Sequence, residues 1–361
     1  MMNEVLSQDL TPIQCDTPQS GGYRVIQIHP TQRCNLTCLH CYSNSAPHFR
    51  QELDINVLKS FLEQAWAEGF DTISISGGEP FMYSHLLELL SFAKNIGYYT
   101  SAVTNGMLLK SEKNQMALPL IDVLAVSIDG EPDYHNYLRN LPQAFDKTLE
   151  GIEIIKEYTD FFGFIHTVVP QTFNSLLWLG EFTATHKAKL LQLHPLENAG
   201  RASNLFAQLE LNQEMLHKVF IMHHYLNTKY SDFVTLFDVL HRDILEGNPD
   251  TVFANHILTD EMRLIDVMKE IIIDENGNIL PGSHGFNPTY KIGNIYENGD
   301  FSSMNSRFMK NSYPHLKNMI DSTYVDILQN EHIDMVNWSE MITHRSFTYQ
   351  ADGVILEEQF A

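Results

Sequence analysis

Three of the chain's four cysteines, Cys34, Cys38 and Cys41, fall within eight residues, and only Cys15 lies elsewhere. A disulfide framework spreads its cysteines to close long loops, so a cluster this tight points to metal ligation. Thiolates suit zinc or an iron–sulfur cluster. Structural zinc takes four closed ligands, usually as two pairs. No second cysteine pair follows here, which leaves His40 and His48 as nearby candidates for a fourth ligand. On an iron–sulfur cubane, three thiolates leave one iron open, and an open iron can bind and activate a small molecule. The chemistry turns on what fills the fourth place.

Alternating elements are predicted to position that loop. Tyr23 to His29 is a short β-rich run leading into it. Asp54 caps a helix whose Ile55, Leu58, Phe61, Leu62 and Ala65 follow the 3.6-residue period, and Gly69 stops it. Thr72 to Ser76 is a strand ending at Gly77-Gly78-Glu79-Pro80, and Ser84 caps a leucine-rich helix that ends near Gly97. Strand Tyr99 to Val103 ends at Thr104-Asn105-Gly106, a helix fills part of 111–120, and strand Val123 to Ile128 ends at Asp129-Gly130. A helix from about Gln143 to Tyr158 and strand Phe162 to Val169 follow. A helix from about Ser175 to Lys187 then precedes strand Leu190 to Leu196, which runs into Glu197-Asn198-Ala199-Gly200-Arg201. About six strand–helix units with connections too long for hairpins imply an α/β fold with a parallel sheet, doubly wound or closed as a full or partial (β/α) barrel. In either arrangement the turns after the strands converge with the cysteine loop on one rim.

The first 22 residues are polar, end in Ser20-Gly21-Gly22 and are expected to form a flexible arm. After about Asn204 the pattern changes to long helical stretches from about Asn212 to Glu246, which carry His223 and His224. Adjacent residues do not share a helix face, so packing is expected of that pair and metal binding is not. Ile271 to Asp274, Asn276-Gly277 and Ile279 to Pro281 then give a hairpin signal. With 23 Lys+Arg against 45 Asp+Glu, the net charge is −22, which disfavours nucleic-acid and anionic-membrane partners. No apolar run reaches the ~18–20 residues of a membrane span, and the start lacks a signal-peptide pattern, so a cytoplasmic protein is expected. No P-loop and no GxGxxG after a strand is present, so a nucleotide-binding reading lacks support.

The stretch Cys34-Asn35-Leu36-Thr37-Cys38-Leu39-His40-Cys41-Tyr42 resembles the CxxxCxΦC signature of radical S-adenosylmethionine (SAM) enzymes, with His40 where an aromatic residue is commoner. Gly77-Gly78-Glu79-Pro80 resembles that family's GGEP turn, Thr104-Asn105-Gly106 its TNG turn, and Ser127-Ile128-Asp129-Gly130 with His135 and Arg139 its SIDG segment. The resemblance covers roughly residues 23–205. It implies a partial (β/α)6 TIM-like barrel in which Cys34, Cys38 and Cys41 hold one 4Fe-4S cluster whose fourth iron is chelated by SAM. It also implies reductive cleavage of SAM to a hydrogen-abstracting 5′-deoxyadenosyl radical. By the same resemblance, His40, Gly77, Gly78, Glu79, Pro80, Thr104, Asn105, Ser127, Asp129, Arg139 and Asn174 surround SAM. The electron donor would be of flavodoxin or ferredoxin type.

Residues 206–361 resemble, more distantly, a helical linker and a SPASM or twitch extension, a smaller α+β region. Ile272 to Ser283 looks like the hairpin that opens such an extension, and Lys291-Ile292-Gly293-Asn294-Ile295 like its next segment. No cysteine follows Cys41, so thiolate-ligated auxiliary clusters are not expected. Such extensions occur in relatives that modify peptides, which makes a peptide or protein the expected substrate. If a leader peptide is recognised, a separate recognition protein or the C-terminal region is expected to do it, because the N-terminal arm is short. The alternatives are a small-molecule substrate (a sugar, nucleoside or tetrapyrrole precursor) and a noncatalytic iron–sulfur or zinc protein. No substrate-contacting catalytic residue is legible. Cys15 is expected to be an incidental thiol.

Overall fold

A computed structural model of the protein describes residues 23–252, 257–259, 261–297 and 299–349. The expected N-terminal arm, with Cys15, lies outside the described residues. Strands β1 (Val25–Ile28), β2 (Thr72–Ile75), β3 (Tyr99–Thr104), β4 (Val123–Ser127), β5 (Phe162–Val168) and β6 (Leu190–Pro195) lie side by side in chain order. Each pairs in parallel with the next. Right-handed helical crossovers make this order the natural outcome of the strand–helix alternation.

Local sequence explains most boundaries. The Asp54 carboxylate accepts from the amides of Asn56 and Val57 and starts helix Ile55–Glu68, and Gly69 ends it at φ 105°. The helix Leu86–Ile96 likewise stops at Gly97, φ 117°. Its start departs from expectation. The N-cap is His85, with no side-chain cap bond, because the amide and hydroxyl of Ser84 are committed to Glu52. Helix Ala144–Tyr158 presses on the Thr104-Asn105-Gly106 turn, where Thr148 Oγ1 donates to the Asn105 carbonyl at 2.9 Å. A Cβ at Gly151 would fall 1.9 Å from the Gly106 carbonyl oxygen, so only glycine allows that approach.

The strands have two unlike faces. Ile26, Ile28, Ile73, Ile75, Leu124, Val126, Phe164, Leu191 and Leu193 are buried in one apolar core. Their alternate neighbours Gln27, Ser74, Ser127, Thr167, Gln192 and His194 line an interior cavity. The period of two along each strand thus separates a dry side from a polar, ligand-facing side.

The sheet continues past the boundary expected at residue 205. β7 (Val234–Phe237) pairs in parallel with β6, within the region from about Asn212 to Glu246 expected to be long helical stretches. The helices there are Gln213–Lys229 and Arg242–Gly247. Val234 and Leu236 are exposed, and the inward face is only Thr235 and the half-buried Phe237, so β7 owes its state chiefly to pairing with β6. β8 (Leu240–His241) follows. β9 (Glu270–Ile273) pairs in parallel with β1, and β10 (Asn278–Pro281) and β11 (Gly293–Asn294) extend the sheet antiparallel. The expected hairpin is therefore present, and it is also the far edge of a ten-stranded sheet. β12 (Met335–Val336) pairs with β8 in a separate ribbon. Among the described residues, no helix is long and apolar enough to cross a membrane.

Candidate active site

The cavity inside the sheet measures about 500 Å³, and Cys34, Cys38 and Cys41 line one of its walls. Backbone contacts hold their loop. The amides of Gly78 and Glu79 donate to the carbonyls of Thr31 (2.9 Å) and Arg33 (3.0 Å), and that of Leu39 to Leu138 (2.8 Å). A Cβ on Gly78 would sit 2.3 Å from the Arg33 carbonyl oxygen. From the far side, Arg201 clamps the loop. Its amide donates to the Cys41 carbonyl at 2.9 Å. Its guanidinium donates to the carbonyl of Cys38 (2.9 Å), to Asn44 Oδ1 (3.2 Å) and to the carbonyl of Ser45 (2.7 Å). The neighbouring Gly200 adopts φ +55°, and a Cβ there would fall 2.4 Å from the Tyr42 carbonyl oxygen.

Glu79 is 1% exposed and joins two turns. Oε1 accepts from the Thr104 hydroxyl (2.7 Å) and the Phe81 amide (3.2 Å), while Oε2 accepts from the Asn105 amide (2.9 Å). Burial raises its pKa, and these donors oppose the rise. The Asn105 side chain in turn donates to Asn35 Oδ1 at 2.8 Å, so three loops form one unit. Asp129 is fully buried behind the cysteine wall and bridges Arg139 Nε (2.6 Å) and His40 Nε2 (3.3 Å). Burial disfavours its charge, but Arg139 and then His40 hold the carboxyl well below the usual carboxylate range. Arg139 Nη1 lies 3.9 Å from Cys38 Sγ.

Of the residues expected around SAM, His40, Gly77, Gly78, Glu79, Thr104, Asn105, Ser127 and Arg139 line the cavity. Pro80 is buried at the start of the 3-10 turn Pro80–Met82, outside the lining, and Asp129 acts through His40 and Arg139. Asn174 is not brought to the site. The turn Pro170–Ser175 points Thr172 inward, where its hydroxyl meets His166 Nε2 at 3.1 Å, and leaves Asn174 exposed two positions later.

These residues fit a three-thiolate cluster and SAM. The thiols sit close enough that Cys38 and Cys41 each raise the pKa of Cys34. Burial, then Glu79, pushes Cys34 up to about 12; burial pushes Cys38 up to about 11 against Arg139. Soft thiolates suit iron–sulfur clusters, and ligation displaces their protons. The Gly77-Gly78 backbone lines the cavity beside them, its Cβ positions taken up by His29 and Arg33, and His40 Nδ1 is buried without a partner. Arg139 offers the planar fork that matches a carboxylate.

Further polar residues complete the cavity: Glu197 lies in the strand-end segment that the sequence pattern places on the rim, whereas sequence reasoning missed His194, Asp238 and Glu270. His194, on β6, bonds Asp238 Oδ2 (2.7 Å) through Nδ1 and Glu197 Oε1 (2.9 Å) through Nε2. Burial opposes its charge, but Asp238 and Glu197 raise its pKa to about 10, so it is cationic at neutral pH. Burial, then Asp238 and Glu197, raises Glu270 to about 7. His194 and Glu197 stood at a visible strand end. Asp238 and Glu270 depend on β7 and β9, whose sheet pairings the sequence pattern did not disclose.

Residues 28–179 match the Radical SAM superfamily, a domain family that implies a 4Fe-4S cluster and SAM. It is 30% identical to Fe-coproporphyrin III synthase of Methanosarcina barkeri over 50% of this chain and 46% of that protein. It is 23% identical to a cysteine-type anaerobic sulfatase-maturating enzyme of Clostridium novyi over 78% of this chain and 79% of that one. The fold resembles SAM-bound SuiB of Streptococcus suis, with a TM-score of 0.62 and 14% identity over 82% of this chain and 68% of that one. The chain spans about half the length of the first curated relatives it matches.

Two outcomes are expected. Arg201→Ala loosens the cysteine loop without removing a ligand, so iron retention after anaerobic reconstitution should weaken roughly 10-fold, measured by chelator competition. Because the fold raises the Glu270 pKa to about 7, the native state is penalised as pH rises through the interval from the usual glutamate value to 7. Glu270→Gln should therefore melt above the wild type at pH 8 and match it near pH 4. Equal melting temperatures at pH 8 would contradict the assignment.

Proposed function

We propose that this chain is a radical SAM enzyme that modifies a peptide or protein. The observation that carries the substrate class is the reach of the similarity. The match to the sulfatase-maturating enzyme spans 78% of this chain and so extends beyond the radical SAM domain. Matches to the proteins named for coproporphyrin and haem synthesis span 40% to 54%. A tetrapyrrole precursor is the second reading, favoured by 30% and 33% identity to two such Methanosarcina barkeri proteins.

Cys34, Cys38 and Cys41 would hold the cluster, leaving one iron for SAM. Bound together, cluster and SAM supply a one-electron cleavage and the hydrogen-atom abstraction that it powers. The chain's own residues bind and orient. Gly77 and Gly78, packed against His29 and Arg33, present their backbone to SAM, Ser127 and Arg139 fix its polar groups, and His40 and Asp129 hold Arg139 and the cysteine wall in register. The opposite wall, with His194, Glu197, Asp238 and Glu270, would face the substrate. Its three carboxyl groups against one imidazolium favour a substrate segment carrying a positive charge. With no cysteine after Cys41, one thiolate-held cluster serves each chain. A flavodoxin- or ferredoxin-type protein would deliver the electron, and a separate recognition protein or the C-terminal region would present a peptide.

The test uses the anaerobically reconstituted chain with dithionite and SAM, reading 5′-deoxyadenosine by chromatography. The wild type should release it, and Cys34→Ala should fall to background. Short peptides encoded beside the gene, and iron-coproporphyrin III in parallel, are then offered as substrates. A mass change on a peptide supports the proposal; turnover of the porphyrin alone would overturn it.

A further inference from the structure

His29, Glu275 and His284 each offer one ligand atom, and these atoms all lie within 4.8 Å of one another. They come from three separate places. His29 follows β1, Glu275 sits in the β9–β10 turn, and His284 lies on the loop after β10. None of them belongs to the cysteine loop or to the SAM-facing turns.

All three carry a buried polar atom without a hydrogen-bond partner: His29 Nδ1, Glu275 Oε2 and His284 Nδ1. His29 is 1% exposed. An unsatisfied buried donor or acceptor costs about 1–3 kcal/mol, so three in one place call for a partner. The cluster is otherwise well fixed. The His29 and His284 rings stack at 4.7 Å, and Gln32 Nε2 donates to Glu275 Oε1 at 2.8 Å. The Tyr42 hydroxyl lies 3.5 Å from His29 Nε2 and 3.0 Å from Ser76 Oγ. The second carboxylate oxygen, Glu275 Oε2, stands 3.8 Å from His284 Nε2, an ion-pair distance too long for a hydrogen bond.

We infer that His29, Glu275 and His284 form a binding site for a divalent first-row transition-metal ion, in the wall of the cavity that His284 lines. Two imidazoles and one carboxylate are a donor set suited to zinc or ferrous iron, and three protein ligands leave a further position for water or a substrate group. Ligand atoms around such an ion sit about 3.3 Å apart. Binding would therefore draw the three together, with most of the movement falling to His284 on its loop. Gln32, already bonded to the other carboxylate oxygen, would orient Glu275 as a supporting group. The ion would tie β1 to the β9–β10 hairpin and so fix the edge of the sheet beside the cysteine loop. The inference rests on these three side chains alone and holds whichever substrate the cavity takes.

The test titrates zinc, as the probe, into the full chain with its iron–sulfur cluster already reconstituted, so that the three cysteines are occupied. Calorimetry should show one site of micromolar or tighter affinity. Glu275→Gln and His284→Ala, both at partly exposed positions, should each weaken it roughly 100-fold while cluster iron stays constant. A second readout guards against misfolded variants. Zinc should raise the melting temperature of the wild type and leave that of Glu275→Gln unchanged. Absence of a zinc site in the wild type, or equal affinity in the variants, would overturn the inference.

Discussion

In the proposed site three thiols are held at one rim with a fourth position left free, and the contacts around them answer that requirement. A loop has little stability of its own, so its geometry must be imposed by neighbours. Here the neighbours are mostly backbone. Gly78 and Glu79 pair with Thr31 and Arg33, Leu39 with Leu138, and Arg201 with Cys38, Cys41 and Ser45. The buried carboxylate of Glu79 extends the constraint to the Thr104-Asn105-Gly106 turn, and Asn105 returns it to Asn35. Removing any one of these partners would leave a buried polar group unsatisfied, which costs more than the bond itself contributes.

The electrostatics follow the same division of labour. On the cysteine side, the buried carboxylate of Asp129 is balanced by Arg139 and His40, and Arg139 reaches toward Cys38, while the second buried carboxylate, Glu79, is held by hydroxyl and amide donors. On the opposite side, the His194 imidazolium faces Asp238 and Glu197, with Glu270 nearby. One cavity thus holds both the Arg139 guanidinium beside the cysteines and a group of acidic residues around His194.

Much of this was legible in the sequence because it is local. The Asp54 cap, the Gly69 and Gly97 stops and the six parallel strands are written in short windows of sequence. The motifs after β1 to β4 fall where strand ends converge. What was not legible depends on distant pairing. β7 has exposed alternate residues and becomes a strand only against β6; β9 carries the continuous apolar run Ile271-Ile272-Ile273, whose partner β1 lies some 240 residues away in sequence. Asp238 and Glu270 reach the cavity only through those two strands. Ser84 was a plausible cap until Glu52 claimed it, and Asn174 falls on the outer side of a turn whose inward position is Thr172. Arg201 stood in a recognisable segment, but its role as a clamp needs the folded loop to be seen.

The most direct test of the open coordination position is electron paramagnetic resonance of the reconstituted, dithionite-reduced protein before and after SAM is added. A cluster held by Cys34, Cys38 and Cys41 alone should give a reduced 4Fe-4S signal whose g values shift when SAM binds the free iron. A signal indifferent to SAM would mean that a protein ligand already closes that iron, and would contradict the reading of this site.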